Sequence, residues 1–263
     1  MKTVVITGAA SGLGKALASL FASKGYQVVV ADIDEVAGQE VTSQLSTITT
    51  AHFHRCDVSD KDSLQELAQF VDTTCGSCHV LINNAGIASS GNLMQTDDDE
   101  WQRLININLM SCINSSMAFM GLLKSTATEQ SPATIVNIAS LAAFGLLGGM
   151  MSYNVSKAAV VAFSESLRCE LARDHIHVVA ACPSFFKTNL TSSMTTSDAD
   201  TIARVERWME KSALTADSVA EDIYQGIGGK EILIFSDKHV RRLYKIYTFI
   251  YNLMVPKSKQ RVK

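Results

Sequence analysis

Tyr153 and Lys157 stand four residues apart in the segment YNVSK. On a helix that spacing puts both side chains on one face, about one turn apart. A free phenol ionises at about pH 10 and is a poor acid–base group at neutrality. An ammonium beside it stabilises phenolate, by about 4 kcal/mol at about 4 Å and an effective dielectric of about 20. The expectation is a Tyr153 pKa lowered by up to roughly three units, toward about 7. A general base works best there.

A second set of residues has the spacing of a phosphate cradle. Gly8, Gly12 and Gly14 lie in TGAASGLG, with Ser11 and Leu13 between them. Glycine allows a tight turn and a close approach of backbone to a pyrophosphate. The helix N-terminus that follows supplies free N–H groups and partial positive charge. Asp32 ends the next strand, where a carboxylate can accept from both ribose hydroxyls of an adenosine. It would repel a 2′-phosphate, and no Arg or Lys lies between Gly8 and Gly14. These residues point to NAD rather than NADP.

The elements that must hold these groups alternate along the chain. KTVVIT, YQVVVAD, AHFHRCD, HVLINNAG, ATIVNIAS, HIHVVAACPS and KEILIFS read as strands. LGKALASLFASKG, DEVAGQEVTSQL, SDKDSLQELAQFVDTT, TDDDEWQRLININLMSCINSSMAFMGLLKS and SYNVSKAAVVAFSESLRCELA read as helices. Ser59 is the N-cap expected for the third helix. Strands and helices at this rhythm imply an α/β fold, a doubly wound parallel sheet with helices on both faces. The expected organisation is one Rossmann-fold catalytic domain over 1–237. Its cofactor half spans about 1–137, its catalytic and substrate half about 138–237, and a basic amphipathic extension covers 238–263. The polar stretch from Asn189 to Lys211 interrupts the rhythm and is the expected mobile lid.

With TGAASGLG, CDV, NNAG, SYNVSK and CPSFFKT in this order and at these distances, the chain resembles the short-chain dehydrogenase/reductase family, in its single-domain branch. The resemblance covers about residues 3 to 236. It implies that Asp57 and Val58 border the adenine. It implies that Asn83, Asn84, Ala85 and Gly86 support the sheet and line the cofactor cleft. Asn108 and Ser140 look like the catalytic asparagine and serine, completing a set with Tyr153 and Lys157. Pro183 and Thr188 look like cofactor contacts, Thr188 at the nicotinamide carboxamide. The family's usual Pro-Gly is here Pro183-Ser184. In the implied chemistry Ser140 donates to the substrate oxygen and Tyr153 exchanges the proton. Lys157 also holds the ribose, and Asn108 holds a water that links Lys157 to solvent. An NAD-dependent alcohol dehydrogenase or ketoreductase of the EC 1.1.1 type follows. An NADP-dependent ketoreductase, a nucleotide-sensing regulator on the same fold, and an NAD-retaining epimerase or dehydratase are the rivals.

The segments that border the substrate in that family are apolar here. Phe144, Leu146, Leu147, Met150, Met151, Phe185 and Phe186 occur with Lys187 as the one charge. They suit a lipophilic secondary alcohol or ketone, steroid-, acyl- or terpenoid-like. Family resemblance further implies a homodimer or homotetramer paired through helices around 101–124 and 152–172.

Composition bounds the rest. The chain has 263 residues, 47% hydrophobic and 19% charged, which excludes a disordered class. No secretory signal and no spanning helix are expected, so the protein reads as cytoplasmic. Six cysteines sit mostly in apolar runs, as reduced thiols would. CGSC, from Cys75 to Cys78, has redox or metal spacing but lacks a second pair, and no metal is expected. HFH and HIH read as strand residues. Eight of the 23 basic residues lie from Lys238 onward, and no acid follows Asp237. The remaining 15 basic residues face 26 acidic ones, a body unsuited to nucleic acid. In the tail, Leu243, Ile246, Tyr247, Ile250 and Met254 recur at helical spacing beside basic residues. Three roles are open to that helix: packing over the cleft or a second subunit, resting peripherally on an anionic membrane, or a partly ordered terminus.

Overall fold

Most strands of the sheet are short and rich in β-branched residues, and helices alternate with them along the chain. The computed structural model describes residues 1–144, 148–187, 195–196, 199–229, 231–237 and 239–246. The first half runs β1 (Thr3–Thr7), α1 (Gly12–Ser23), β2 (Gln27–Asp32), α2 (Glu35–Leu45), β3 (Ala51–Arg55), α3 (Lys61–Cys75), β4 (Val80–Asn83) and β5 (Ser89–Ser90). The second runs α4 (Asp98–Ile105), α5 (Ser111–Thr126), β6 (Ala133–Ile138), α6 (Met151–Glu170), β7 (Ile176–Ala181), β8 (Thr195–Thr196), α7 (Ala199–Lys211), α8 (Ala216–Gly226) and β9 (Leu233–Ile234).

Seven strands form one parallel sheet in the order β3-β2-β1-β4-β6-β7-β9. Alternate residues of each strand face opposite layers. Val4, Ile6, Val28 and Val30 pack with Leu17, Phe21, Val219 and Ile223 of α1 and α8. Val5, Val29 and Leu81 pack on the other face with Leu67, Val71, Phe119 and Leu167 of α3, α5 and α6. Strand order reverses between β1 and β4, and the crevice at the carboxyl ends of those strands is where such sheets bind ligands. This is the single-domain, doubly wound fold that the strand–helix rhythm implies.

Several local expectations need correction. Asp60, not Ser59, caps α3, accepting from the Asp62 N–H at 2.9 Å. Ser59 instead gives its N–H and hydroxyl to Asp57 Oδ1, at 2.9 and 2.7 Å. The long fourth helix starts one cap later, at Asp97, and widens to a π turn over Asn106–Met110 before continuing as α5. The polar stretch Asn189–Lys211 contains α7, whose Val205 and Met209 are buried. Its residues 189–194 and 197–198 lie outside the described residues. β5 and β8 pair in parallel beside the main sheet, which sequence alone did not suggest.

The tail is helical over 239–246, opened by Asp237 Oδ1 accepting from the His239 and Val240 N–H groups. Its inward side differs from expectation. Val240 and Tyr244 pack on the core, whereas Leu243 and Ile246 are 66% and 48% exposed. Tyr247, Ile250 and Met254 lie outside the described residues. No helix among the described residues is long and apolar enough to cross a membrane.

Candidate active site

β1 ends in a loop where Gly8 and Gly14 have no room for a side chain. A Cβ on Gly8 would stand 2.9 Å from Ala85 Cα, and Gly8 holds φ at +65°. A Cβ on Gly14 would stand 2.0 Å from the Gly8 oxygen, so Gly14 lies beneath the loop and lets α1 pack against it. Asn84 fastens this loop to the end of β4: its Nδ2 donates to the Thr7 and Gly8 oxygens at 2.9 and 3.0 Å. Asp32 Oδ2 accepts from the Ala10 N–H at 2.8 Å and Oδ1 from the Asp34 N–H at 3.0 Å. The carboxylate is thus aimed by the backbone of its own loops.

A cavity of about 780 Å³ opens along these strand ends. Its nucleotide-sized side includes Gly8, Ser11, Gly12, Leu13, Asp32 and Val58. Asp57, Asn84, Ala85, Gly86 and Pro183 also line it. Ser140, Tyr153 and Lys157 line it where β6 and α6 meet. Asn83 does not; it lies within the sheet, donating to Asn137 Oδ1 at 2.8 Å. The backbone geometry, the free glycine face and the acceptor-only Asp32 fit an adenine dinucleotide. Thr188 lies outside the described residues.

The four reacting candidates come from three elements. Ser140 follows β6 and caps a short turn, its Oγ accepting from the Ala142 N–H at 3.1 Å. Tyr153 and Lys157 share the inner face of α6. The Tyr153 phenol and the Ser140 hydroxyl face the same stretch of the cavity. Lys157 Nζ donates to the Ile138 oxygen at 2.9 Å and lies 5.8 Å from the Tyr153 ring centre. Burial pushes the Tyr153 phenol up, and the neighbouring Ser140 side chain pulls it partly back. Burial pushes the Lys157 ammonium down, while the neighbouring Cys112 and Cys182 thiols act the other way. The expected fall of the Tyr153 pKa toward neutrality is therefore overturned in the protein alone. Removing both groups from water costs more than the lysine returns, because charged forms lose solvation in a dry interior.

Asn108 sits at the π turn, wholly buried. Its Oδ1 accepts from the Ile87 N–H at 2.9 Å; its Nδ2 donates to the Ile87 oxygen and to Ser156 Oγ, both at 3.0 Å. Both amide hydrogens are committed, so the side chain has none to give a relay water. Asn108 is a clamp between β4's loop and α6.

The far side of the cavity is apolar. Leu141, Ala142, Met150, Phe185, Phe186, Val205 and Met209 line it. Met150, Tyr153, Val205 and Met209 belong to one packed cluster. Phe144 is not part of this wall: it packs on Phe235 and Tyr244, with ring centres 5.6 and 5.8 Å away. Met151 faces outward, 40% exposed, because it precedes Tyr153 by two positions on the helix. Leu146 and Leu147 lie outside the described residues. Val205 and Met209 escaped sequence reasoning, although Ile202, Val205, Trp208 and Met209 recur at helical spacing. The polar residues around them masked the pattern.

Other candidate chemistry falls away from the cavity. Cys78 is buried and its thiol is pushed well up by desolvation; Cys75 is also raised. Neither favours the thiolate that redox or metal work needs. His52 and His54 lie on the edge strand β3, His54 stacked on Phe70 with ring centres 4.8 Å apart.

Residues 2–199 match the family model described as short chain dehydrogenase. An uncharacterized oxidoreductase of Staphylococcus aureus is 31% identical over 197 residues, which cover 75% of this chain and 83% of that protein. The probable oxidoreductase EphD of Mycobacterium tuberculosis is 32% identical over 191 residues, 72% of this chain. The match takes in 32% of that longer protein, so the chain spans about a third of its length. Among solved structures, a short chain dehydrogenase/reductase from Burkholderia phymatum, in complex with NAD, superposes with a TM-score of 0.86 at 28% identity. The superposition covers 96% of this chain and 95% of that one.

Proposed function

The chain belongs to the short-chain dehydrogenase/reductase family of oxidoreductases, and from that premise we propose an NAD-dependent enzyme acting on a lipophilic secondary alcohol or its ketone. The observation that carries the reading is the meeting of Ser140, Tyr153 and Lys157 on one stretch of the cavity lining, where its polar and apolar sides join. When bound, the nicotinamide supplies the two-electron chemistry. The protein's part is to hold the substrate oxygen between the Ser140 and Tyr153 hydroxyls and to exchange one proton with it at the Tyr153 oxygen. Lys157 adds positive charge beneath the phenol and supplies donors for a ribose.

NAD is favoured over NADP by the cavity's own charges. Its described lining includes Asp32, Asp34 and Asp57, and Lys157 is the sole cation among those residues. A 2′-phosphate beside Asp32 would meet repulsion without a compensating partner. The relative from Burkholderia phymatum, solved with NAD, is consistent with this choice.

Substrate preference follows from the wall formed by Met150, Phe185, Val205 and Met209. Each buried CH₂ contributes about 0.8 kcal/mol, so lengthening a 2-alkanol by two carbons should raise kcat/KM by roughly tenfold until the cavity fills. The assay is a series of 2-alkanols with NAD, followed by NADH absorbance. Faster turnover of polyols than of the longer alkanols would refute the lipophilic reading.

The raised phenol sets the pH dependence. A group whose pKa is raised keeps its proton through neutrality and gives it up only in the alkaline range. Ketone reduction, which needs the Tyr153 proton, should hold its kcat/KM through neutral pH and fall on the alkaline side. Alcohol oxidation, which needs a vacant Tyr153 oxygen, should rise over the same range. Profiles of kcat/KM in both directions, which report ionisations of the free enzyme, test this; a reduction limb that has already fallen at about pH 7 contradicts it.

A further inference from the structure

The groups that fix α6 in place lie behind the site. α6 presents Tyr153 and Lys157 on the buried face that continues through Val160, Ser164 and Leu167. Ser164 Oγ accepts from Asn137 Nδ2 at 2.9 Å and donates to the Val160 oxygen at 2.7 Å. Asn137 Oδ1 in turn accepts from Asn83 Nδ2 at 2.8 Å. These three side chains come from β4, β6 and α6, and their exposures are 3% (Asn83), 0% (Asn137) and 0% (Ser164).

This line of bonds is directional where the surrounding contacts are not. Apolar packing of α6 on the sheet tolerates a small slide or rotation, since burial is roughly proportional to area alone. A buried amide or hydroxyl left unpaired costs about 1–3 kcal/mol, so the hydrogen bonds do not tolerate it. Asn137 lies three residues before Ser140 on the same strand end, and Ser164 lies on the helix that carries Tyr153. The Asn137–Ser164 bond thus ties the element that presents one hydroxyl to the element that presents the other. The Asn108–Ser156 bond holds α6 to a different neighbour; Lys157 Nζ also joins α6 to β6 at the Ile138 oxygen, but from the tip of a long flexible side chain that can follow a shift of the helix.

We propose that Asn137 and Ser164 are positioning residues, whose hydrogen bond sets the register of α6 against β6 and so the fit of Tyr153 to Ser140. The inference rests on the reading of Tyr153 as the acid–base group. Loss of register moves the Tyr153 hydroxyl away from Ser140. The phenol then loses the interaction that pulls its ionisation down, and the substrate oxygen loses its paired hydroxyls.

The test uses Ser164→Ala and Asn137→Ala, with Ser115→Ala as the control. Ser115 is a buried serine of α5 whose hydroxyl has no hydrogen-bond partner among the described residues. With 2-decanol and NAD, kcat should fall about 10- to 100-fold in Ser164→Ala, the cost of a misplacement of about 1 Å. NAD affinity, read by quenching of tryptophan fluorescence, should stay within about threefold. In the ligand-free protein, NMR of Cζ-labelled tyrosine, with Tyr153 assigned through Tyr153→Phe, should show its titration moved upward. The double variant Asn137→Ala/Ser164→Ala should be no slower than Asn137→Ala, because the two share one bond. Ser164→Cys, which keeps a weak acceptor, should recover part of the rate. Turnover of Ser164→Ala within about twofold of Ser115→Ala, or an unmoved Tyr153 titration, overturns the proposal. If Tyr153→Phe is inactive while Ser164→Ala is not slowed, only the positioning role falls. If Tyr153→Phe keeps its turnover, the acid–base reading and this inference fall together.

Discussion

Tyr153→Phe should bind NAD with an affinity within about threefold of the wild type and turn over about 10³-fold more slowly in both directions. The change removes one oxygen and little else. The ring stays packed among Met150, Val205 and Met209, so the cavity keeps its shape. Ser140 loses the phenol as a partner yet still accepts from the Ala142 N–H. The stability cost is therefore small, about 1 kcal/mol, the net value of a single hydrogen bond. The rate cost is larger because proton exchange with the substrate oxygen has no substitute nearby. A 10³-fold loss corresponds to about 4 kcal/mol of barrier. Dinucleotide affinity should survive because the glycine loop, Asn84 and Asp32 are untouched. The measurements are NAD titration by fluorescence and kcat with the best 2-alkanol. Turnover within about tenfold of the wild type would remove Tyr153 from the mechanism.

The same pair shows where sequence reading stops. The four-residue spacing placed Tyr153 and Lys157 on one helix face, and the structure agrees. Their mutual effect was misjudged, because a pairwise Coulomb estimate omits the desolvation of both partners. Burial depends on what covers α6, and that cover includes α7, drawn from a stretch whose polar residues hid its apolar stripe. Phe144 fails for a related reason. It lies in the apolar run before Tyr153, but its direction is decided by Phe235 and Tyr244, about 90 and 100 residues further on. The sheet, by contrast, was legible because strand period, helix period and glycine position are local properties of the chain. The π turn at Asn108 and the paired β5 and β8 left no local signal. Asn108 itself was found only by family resemblance, and the clamping bonds that use both its amide hydrogens show only in the structure. Long-range hydrogen bonds of this kind, including Asn137 to Ser164, need coordinates to be seen.

Asp32→Ala should weaken NAD about 10- to 100-fold while affecting NADP less or not at all. A carboxylate hydrogen bond to a ribose hydroxyl is worth about 1.5–3 kcal/mol, and each 1.4 kcal/mol is a factor of ten in affinity. The charge also acts against a 2′-phosphate, by roughly 4 kcal/mol per unit charge at about 4 Å and a dielectric of about 20. Removing it lifts that penalty and offsets the loosened loop for NADP, so the ratio of kcat/KM for NAD over NADP should drop by about 10- to 100-fold. Asp32 has a structural duty as well, since it accepts from the Ala10 and Asp34 N–H groups. Alanine frees both donors and loosens the loop, which would weaken either dinucleotide. Asp32→Asn separates the two effects. It keeps an oxygen for one backbone donor and removes the charge, so it should relax discrimination against NADP with a smaller loss of NAD binding. Parallel titrations of NAD and NADP on the three proteins decide the matter. An unchanged ratio in both variants, or a wild type that prefers NADP, would show that selectivity is set elsewhere in the cleft.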